Sequence, residues 1–136
     1  MKDSMKINSV SDSSLLEIIF PEGKIPKTAS DYMEVRLNGS MLQSSVRVYD
    51  VHWQFFTNYF DDLATNWRGW DGRKEWKSIE DEMRLSCEID KVGHVSLYVT
   101  LEDNMWKAQG IIHLDSGQLE EVVLRIKRFF GVNAAS

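Results

Sequence analysis

The sequence predicts an α+β domain of two layers, an antiparallel sheet of about six strands carrying two helices, in the order βββαβββα. Three observations lead there. Apolar residues alternate with polar ones in paired runs joined by turn residues, the period of half-buried strands that return on themselves. Two stretches, one starting at Asp50 and one after Asp115-Ser116, switch to helical spacing. Hairpin-linked strands with two amphipathic helices place both helix stripes on one face of one sheet. A strongly curled sheet wrapped around the first helix, plugged by Trp53, Phe56, Phe60 and Trp67, is the alternative.

Residues 1–14 are rich in serine and charge, which predicts a flexible N-terminus, followed by a single α+β domain over 15–133. The first strand is Leu15 to Phe20, and Pro21, Gly23 and Pro26 make the stretch to Ser30 a loop. From Tyr32 to Leu37, Met33, Val35 and Leu37 alternate with polar positions. Asn38-Gly39 signals a hairpin, with a return strand from about Met41 to Tyr49. Trp53, Phe56, Phe60, Leu63 and Trp67 then follow at helical spacing, with Asp50 as the expected N-cap and Gly69 as the limit. Beyond a compact turn region, Met83, Leu85, Cys87 and Ile89 alternate, and Val95, Leu97, Val99 and Leu101 answer them across a turn at Lys91 to Gly93. A strand from Met105 to Leu114 leads into a helix with the stripe Leu119, Val122, Val123, Ile126 and Phe130. Acids in its first turn and bases in its last complement the helix dipole, and Gly131 stops it.

Composition narrows the function. A chain of 136 residues, 43% apolar and 27% charged, has the makeup of an ordinary globular protein rather than a disordered one. Its net charge of −5 argues against a general nucleic-acid surface, which neutralises phosphates with Lys and Arg. The single cysteine, Cys87, excludes an internal disulfide and fits a reducing cytoplasm. No apolar run is long enough to span a membrane. His52, His94 and His113 are scattered, with no spacing that places two ligands on one helix face, so neither a metal nor another cofactor is expected. Cys87 sits on an apolar face and reads as an inert thiol. No Gly-rich phosphate loop or nucleophile signature occurs, and a non-enzyme is expected.

The densest constellation is Trp67-Arg68-Gly69-Trp70-Asp71-Gly72, then Trp76, Ser78 and Glu80. Glycines at 69 and 72 let the chain fold tightly there and gather the rings. The ordinary reading is a structural corner between helix and sheet. The alternative is a small-molecule or sugar cleft with Trp70 and Trp76 as stacking walls and Arg68 and Asp71 as polar partners. This block, with the strand opening Gly93-His94-Val95, resembles a bacterial family of small uncharacterised proteins classed as a domain of unknown function. The resemblance spans about Phe60 to Phe130. It departs after Glu80, where the family carries Gly-Glu and this chain Asp81-Glu82. It implies a bacterial cytoplasmic protein with a two-layer α+β fold, and it implies no catalytic residues.

A partner surface is the remaining candidate. On a helical wheel centred on Phe60, Phe55 lies about 140° away and Tyr59 about 100° away, which turns both toward solvent beside Asp62. A second acidic element contains Glu80 and Glu82. Exposed aromatics beside carboxylates on a small acidic domain suggest a protein-binding module, most concretely an immunity protein that neutralises a cationic bacterial toxin domain. The expected partner is thus a protein, with no nucleic acid and no membrane.

Overall fold

The computed structural model describes residues 4–20, 32–50 and 52–131, so the loop expected from Pro21 to Ser30 lies outside the described residues. Its elements are β1 (Ser4–Asn8), β2 (Leu15–Ile19), β3 (Tyr32–Asn38), β4 (Gln43–Tyr49), α1 (Trp53–Thr65), β5 (Lys74–Lys77), β6 (Met83–Ile89), β7 (His94–Glu102), β8 (Lys107–Asp115) and α2 (Leu119–Phe130). The chain is α+β, but its strands form two antiparallel sheets of four, β1-β2-β3-β4 and β5-β6-β7-β8, not one sheet of six. The order is ββββα twice.

The two additional strands have weak local signals. β1 lies within the stretch expected to fray and offers only Met5 and Ile7. Both are buried because register sets them opposite Ile18 and Leu16 of β2. β5 has one apolar residue, Trp76, opposite Leu85 of β6. In each case the neighbouring strand supplies the apolar face that makes a short polar segment worth ordering.

The inner faces of both sheets and the facing sides of both helices share one core, built from residues such as Ile18 and Val35, Leu97 and Val99, Phe56 and Phe60, and Val122 and Ile126. The helices pack against each other. There Trp53 stacks on Phe130 at 5.6 Å, and Phe56 meets Trp76 edge-on at 5.2 Å. The expected stripe of α1 is buried through Leu63. Trp67 is not part of it, because the helix ends at Thr65 and leaves the Trp67 ring 48% exposed.

The two sheets touch where β8 passes β3. A Cβ added to Gly110 would stand 3.3 Å from Cδ2 of Leu37, so a side chain there would require Leu37 to shift. Nearby, the Val10 amide donates to the His113 carbonyl at 2.8 Å, and the His113 amide donates to Ser9 Oγ at 3.0 Å. The Asn38-Gly39 signal marks a true hairpin with a longer loop than two residues. The Gly39 amide closes it on the Leu42 carbonyl at 2.8 Å, and the return strand starts at Gln43.

Candidate functional site

Asp50 does not cap α1. His52 holds that position, and the Asp50 carboxylate, 4% exposed, accepts from the backbone amides of His52 at 2.7 Å and Ile79 at 3.2 Å. It therefore binds the chain leaving β4 to the turn leaving β5. A second bond set runs beside it. Glu82 accepts from the Tyr49 amide at 3.1 Å and from the Ser78 hydroxyl at 2.8 Å, and Ser78 Oγ in turn accepts from the Met83 amide at 3.1 Å. Charge-assisted bonds of this kind are shorter and stronger than neutral ones, so the two halves of the chain are held together here in a defined geometry. Within the turn Asp81 takes φ 64°, a left-handed backbone that aspartate tolerates better than most residues.

The Asp50 bridge has a surface consequence. It ties His52, whose ring lies 5.2 Å from that of Phe55, 58% exposed, to the turn that carries Ile79, 53% exposed, and the exposed Glu80. The patch continues into a groove of about 570 Å3 where Glu80, Asp81 and Glu82 meet Glu102 and Asp103, with Arg47 and Arg84 at its sides. The Glu102 amide donates to the Glu82 carbonyl at 2.8 Å, which brings the two hairpin ends together. The β7–β8 tip next to the groove exposes Met105 and Trp106.

The expected partner residues divide accordingly. Phe55 and Glu80 are exposed as predicted. Tyr59 is a correction: it is buried, its hydroxyl donates to the Lys74 carbonyl at 2.8 Å, and burial pushes its phenol well above the usual range. The wheel placed it correctly, but β5 covers that flank of α1. Asp62 is exposed and paired with Lys74 at 2.9 Å. Glu82 spends both carboxylate oxygens inside the protein, so its role is to hold the turn rather than to meet a partner. His52, Ile79, Glu102, Asp103, Met105 and Trp106 went unpredicted. Ile79 carries the one readable signal, an isolated apolar residue among turn residues.

The tryptophan block runs through the turn between α1 and β5 and into β5 itself. Gly69 and Gly72 adopt φ of 138° and 70°, the left-handed backbone their sequence suggested. Trp70 is half-buried and donates its indole N–H to the Cys87 carbonyl at 3.2 Å, while Trp76 packs beneath α1 against Phe56. Arg68 lies over Trp67 at 5.2 Å. A shallow groove of about 660 Å3 runs past Arg68, Trp70 and Asp71, but Trp76 does not line it, so the structure does not bring the two proposed stacking walls together. Cys87 is buried, and desolvation, with Glu88 nearby, pushes its thiol up to about 12. His94 Nδ1 lies 3.1 Å from Asp90, and the Asp90 carboxyl is lowered chiefly by the His94 amide. Among the described residues no three His, Cys, Asp or Glu side chains converge as a metal site requires.

The sequence matches a family of unknown function, DUF6228, over residues 9–133. The chain belongs to this family. The match extends well to the N-terminal side of the tryptophan block and takes in every element of this DUF6228 protein from β2 to α2. No curated protein matches it in sequence. In structure it is similar to a chain of the Trypanosoma bruciei MRP1/MRP2 crystal structure, with a TM-score of 0.53 and 10% identity over 98% of this chain and 87% of that one. At that identity the likeness concerns the fold alone.

Proposed function

We propose that this protein is a non-catalytic protein-binding module of the bacterial cytoplasm, and in its most concrete form an immunity protein that occludes the active site of a cationic toxin domain. The observation that supports this best is the Asp50 bridge, which ties the start of α1, where Phe55 is exposed, to the turn of exposed Ile79 and Glu80 that leads into the acidic groove. Such a surface has the two parts a tight inhibitor needs. The apolar residues can bury against a partner and slow dissociation, while the carboxylates attract a basic protein from a distance and speed encounter.

The test is to inspect the neighbouring genes for a protein with a toxic domain and to co-express any such domain with this protein, scored by growth and co-purification. Phe55→Ala should weaken the complex by about 2 kcal/mol or more, mainly through the off-rate, as loss of a central aromatic contact does. Glu80→Lys should slow association at low salt, and the difference should shrink as salt is raised. Both residues are exposed, so neither change should lower thermal stability appreciably. Protection by the double variant equal to wild type would overturn the proposal, as would the absence of any toxin that the protein protects against.

A further inference from the structure

The outer face of the second sheet carries a groove of about 560 Å3, a volume typical of small-molecule sites. Strand alternation builds it. Glu75, Ser86 and Tyr98 are register partners across β5, β6 and β7, while Leu85, Cys87, Leu97 and Val99 turn inward to the core. Its charge runs against that of the whole chain: Arg73, Lys77 and Arg84 line it against the single carboxylate of Glu75, in a protein of net charge −5.

Arg73 is the residue with donors to spare. Its guanidinium lies 4.2 Å over the Tyr98 ring, and its Nε donates to Glu88 at 3.0 Å, while the Tyr98 hydroxyl donates to the other Glu88 oxygen at 3.0 Å. That triangle fixes the plane of the guanidinium and leaves its two terminal amino groups without a partner among the described residues. Arg84, by contrast, gives one amino group to Glu102 and the other to the Asp81 carbonyl. Ser86 Oγ, in the row between Glu75 and Tyr98, is shielded from solvent and has no hydrogen-bond partner. A buried hydroxyl in that state is unfavourable, and turning about χ1 toward an acceptor relieves it.

We propose that this groove binds a small organic oxyanion, a carboxylate or a phosphate monoester, through the terminal amino groups of Arg73, with the Ser86 hydroxyl as a second donor and Lys77 adding attraction. A guanidinium held in plane matches two oxygens of either group with parallel hydrogen bonds. A small ligand fits better than a polyanion, because Glu88 flanks the groove at one end and Glu102 at the other, where a longer chain of phosphates would meet like charge. This groove shares Arg84 with the acidic groove but contains neither Phe55 nor Glu80, and it does not depend on the protein-binding reading.

The experiment is a titration of the whole chain, followed by backbone amide NMR, with phenyl phosphate, benzoate, inorganic phosphate, neutral benzyl alcohol and a short oligonucleotide. Saturable shifts at residues 73–77, 84–86 and 98–100 are expected with phenyl phosphate or benzoate and not with benzyl alcohol, and the tighter of the two identifies the preferred oxyanion. Arg73→Gln should weaken binding about 10- to 100-fold, the loss of a charge-assisted pair. Glu75→Gln should tighten it, since a like charge leaves the lining. Unshifted amides elsewhere in each variant establish that the fold is intact. No saturable shift with any of the three oxyanions, equal response to benzyl alcohol, unchanged affinity in Arg73→Gln, or tighter binding of the oligonucleotide would overturn the proposal.

Discussion

Replacing Asp50 by Ala removes one acceptor that two backbone amides share. The carboxylate is 4% exposed, and its bonds to the amides of His52 and Ile79 are 2.7 and 3.2 Å long. Hydrogen bonds to a charged group contribute about 1.5–3 kcal/mol each when the partner is left buried without them. The longer bond to Ile79 sits in an exposed turn where water can replace it, so the expected loss is about 2–4 kcal/mol, less than twice the single-bond value. Asp50→Asn keeps one acceptor oxygen but turns an amide NH2 toward one of the donors, for a loss of about 1–2 kcal/mol. Urea unfolding monitored by tryptophan fluorescence should show the midpoint of the Ala variant falling by about 1–2 M, given a mid-range slope of about 2 kcal/mol/M. Hydrogen exchange adds a local readout, since the Ile79 amide should lose protection before the strands do. Asp71→Ala, an exposed carboxylate three residues upstream of β5, serves as the control and should leave the midpoint unchanged. If Asp50→Ala unfolds at the wild-type midpoint, or if the Ile79 amide exchanges no faster, the bridge does not hold the two halves together and the patch built on it loses its rationale.

Three further outcomes follow from packing and burial. Trp67→Ala should cost under about 1 kcal/mol, because the ring stands outside the core, whereas Phe56→Ala should cost about 3–5 kcal/mol; similar urea midpoints would contradict the assigned end of α1. The Cys87 thiol, pushed up to about 12 by burial and by Glu88, should stay unreactive toward a thiol reagent at pH 8 until the protein unfolds, and rapid native-state labelling would refute its burial. Because its folded pKa lies above the value of about 8.5 for a free thiol, the stability it contributes is complete below about pH 8.5 and is lost as pH rises toward about 12. Gly110→Val should lower stability by about 1–3 kcal/mol through overpacking against Leu37, measured by thermal unfolding, and a neutral effect would mean that Leu37 has room to shift there.

The proposed immunity role and the oxyanion groove draw on opposite properties of one small chain. The first uses the acidic surface at the joined hairpin ends, and the second uses cations that the strands of the second sheet concentrate on its outer face. Both depend on side chains left over after folding has used their neighbours. Glu82 and Arg84 are charged in sequence yet internally engaged, while Glu80 and the terminal amino groups of Arg73 have no partner among the described residues.

Elements whose signal is written in their own residues are legible in the sequence alone. The alternation in β3, β6 and β7 and the stripes of α1 and α2 arise from each segment's own apolar period, and so does the inward face of Cys87. The paired glycines at 69 and 72 likewise declare a tight corner. What the sequence does not declare is whatever depends on a distant partner. β1 and β5 exist because Leu16 and Leu85 stand opposite them, and without those strands the eight-stranded, two-sheet arrangement reads as one sheet of six. The helical period marks Tyr59 as lateral on α1, but only β5 decides that this flank is covered. Asp50 lies near a helix start and reads as its cap, while an amide twenty-nine residues away claims the other half of its carboxylate. Local periodicity determines which face of a segment is apolar; which of its polar groups remain free is settled by the segments that fold against it, and that is the information a binding site is made of.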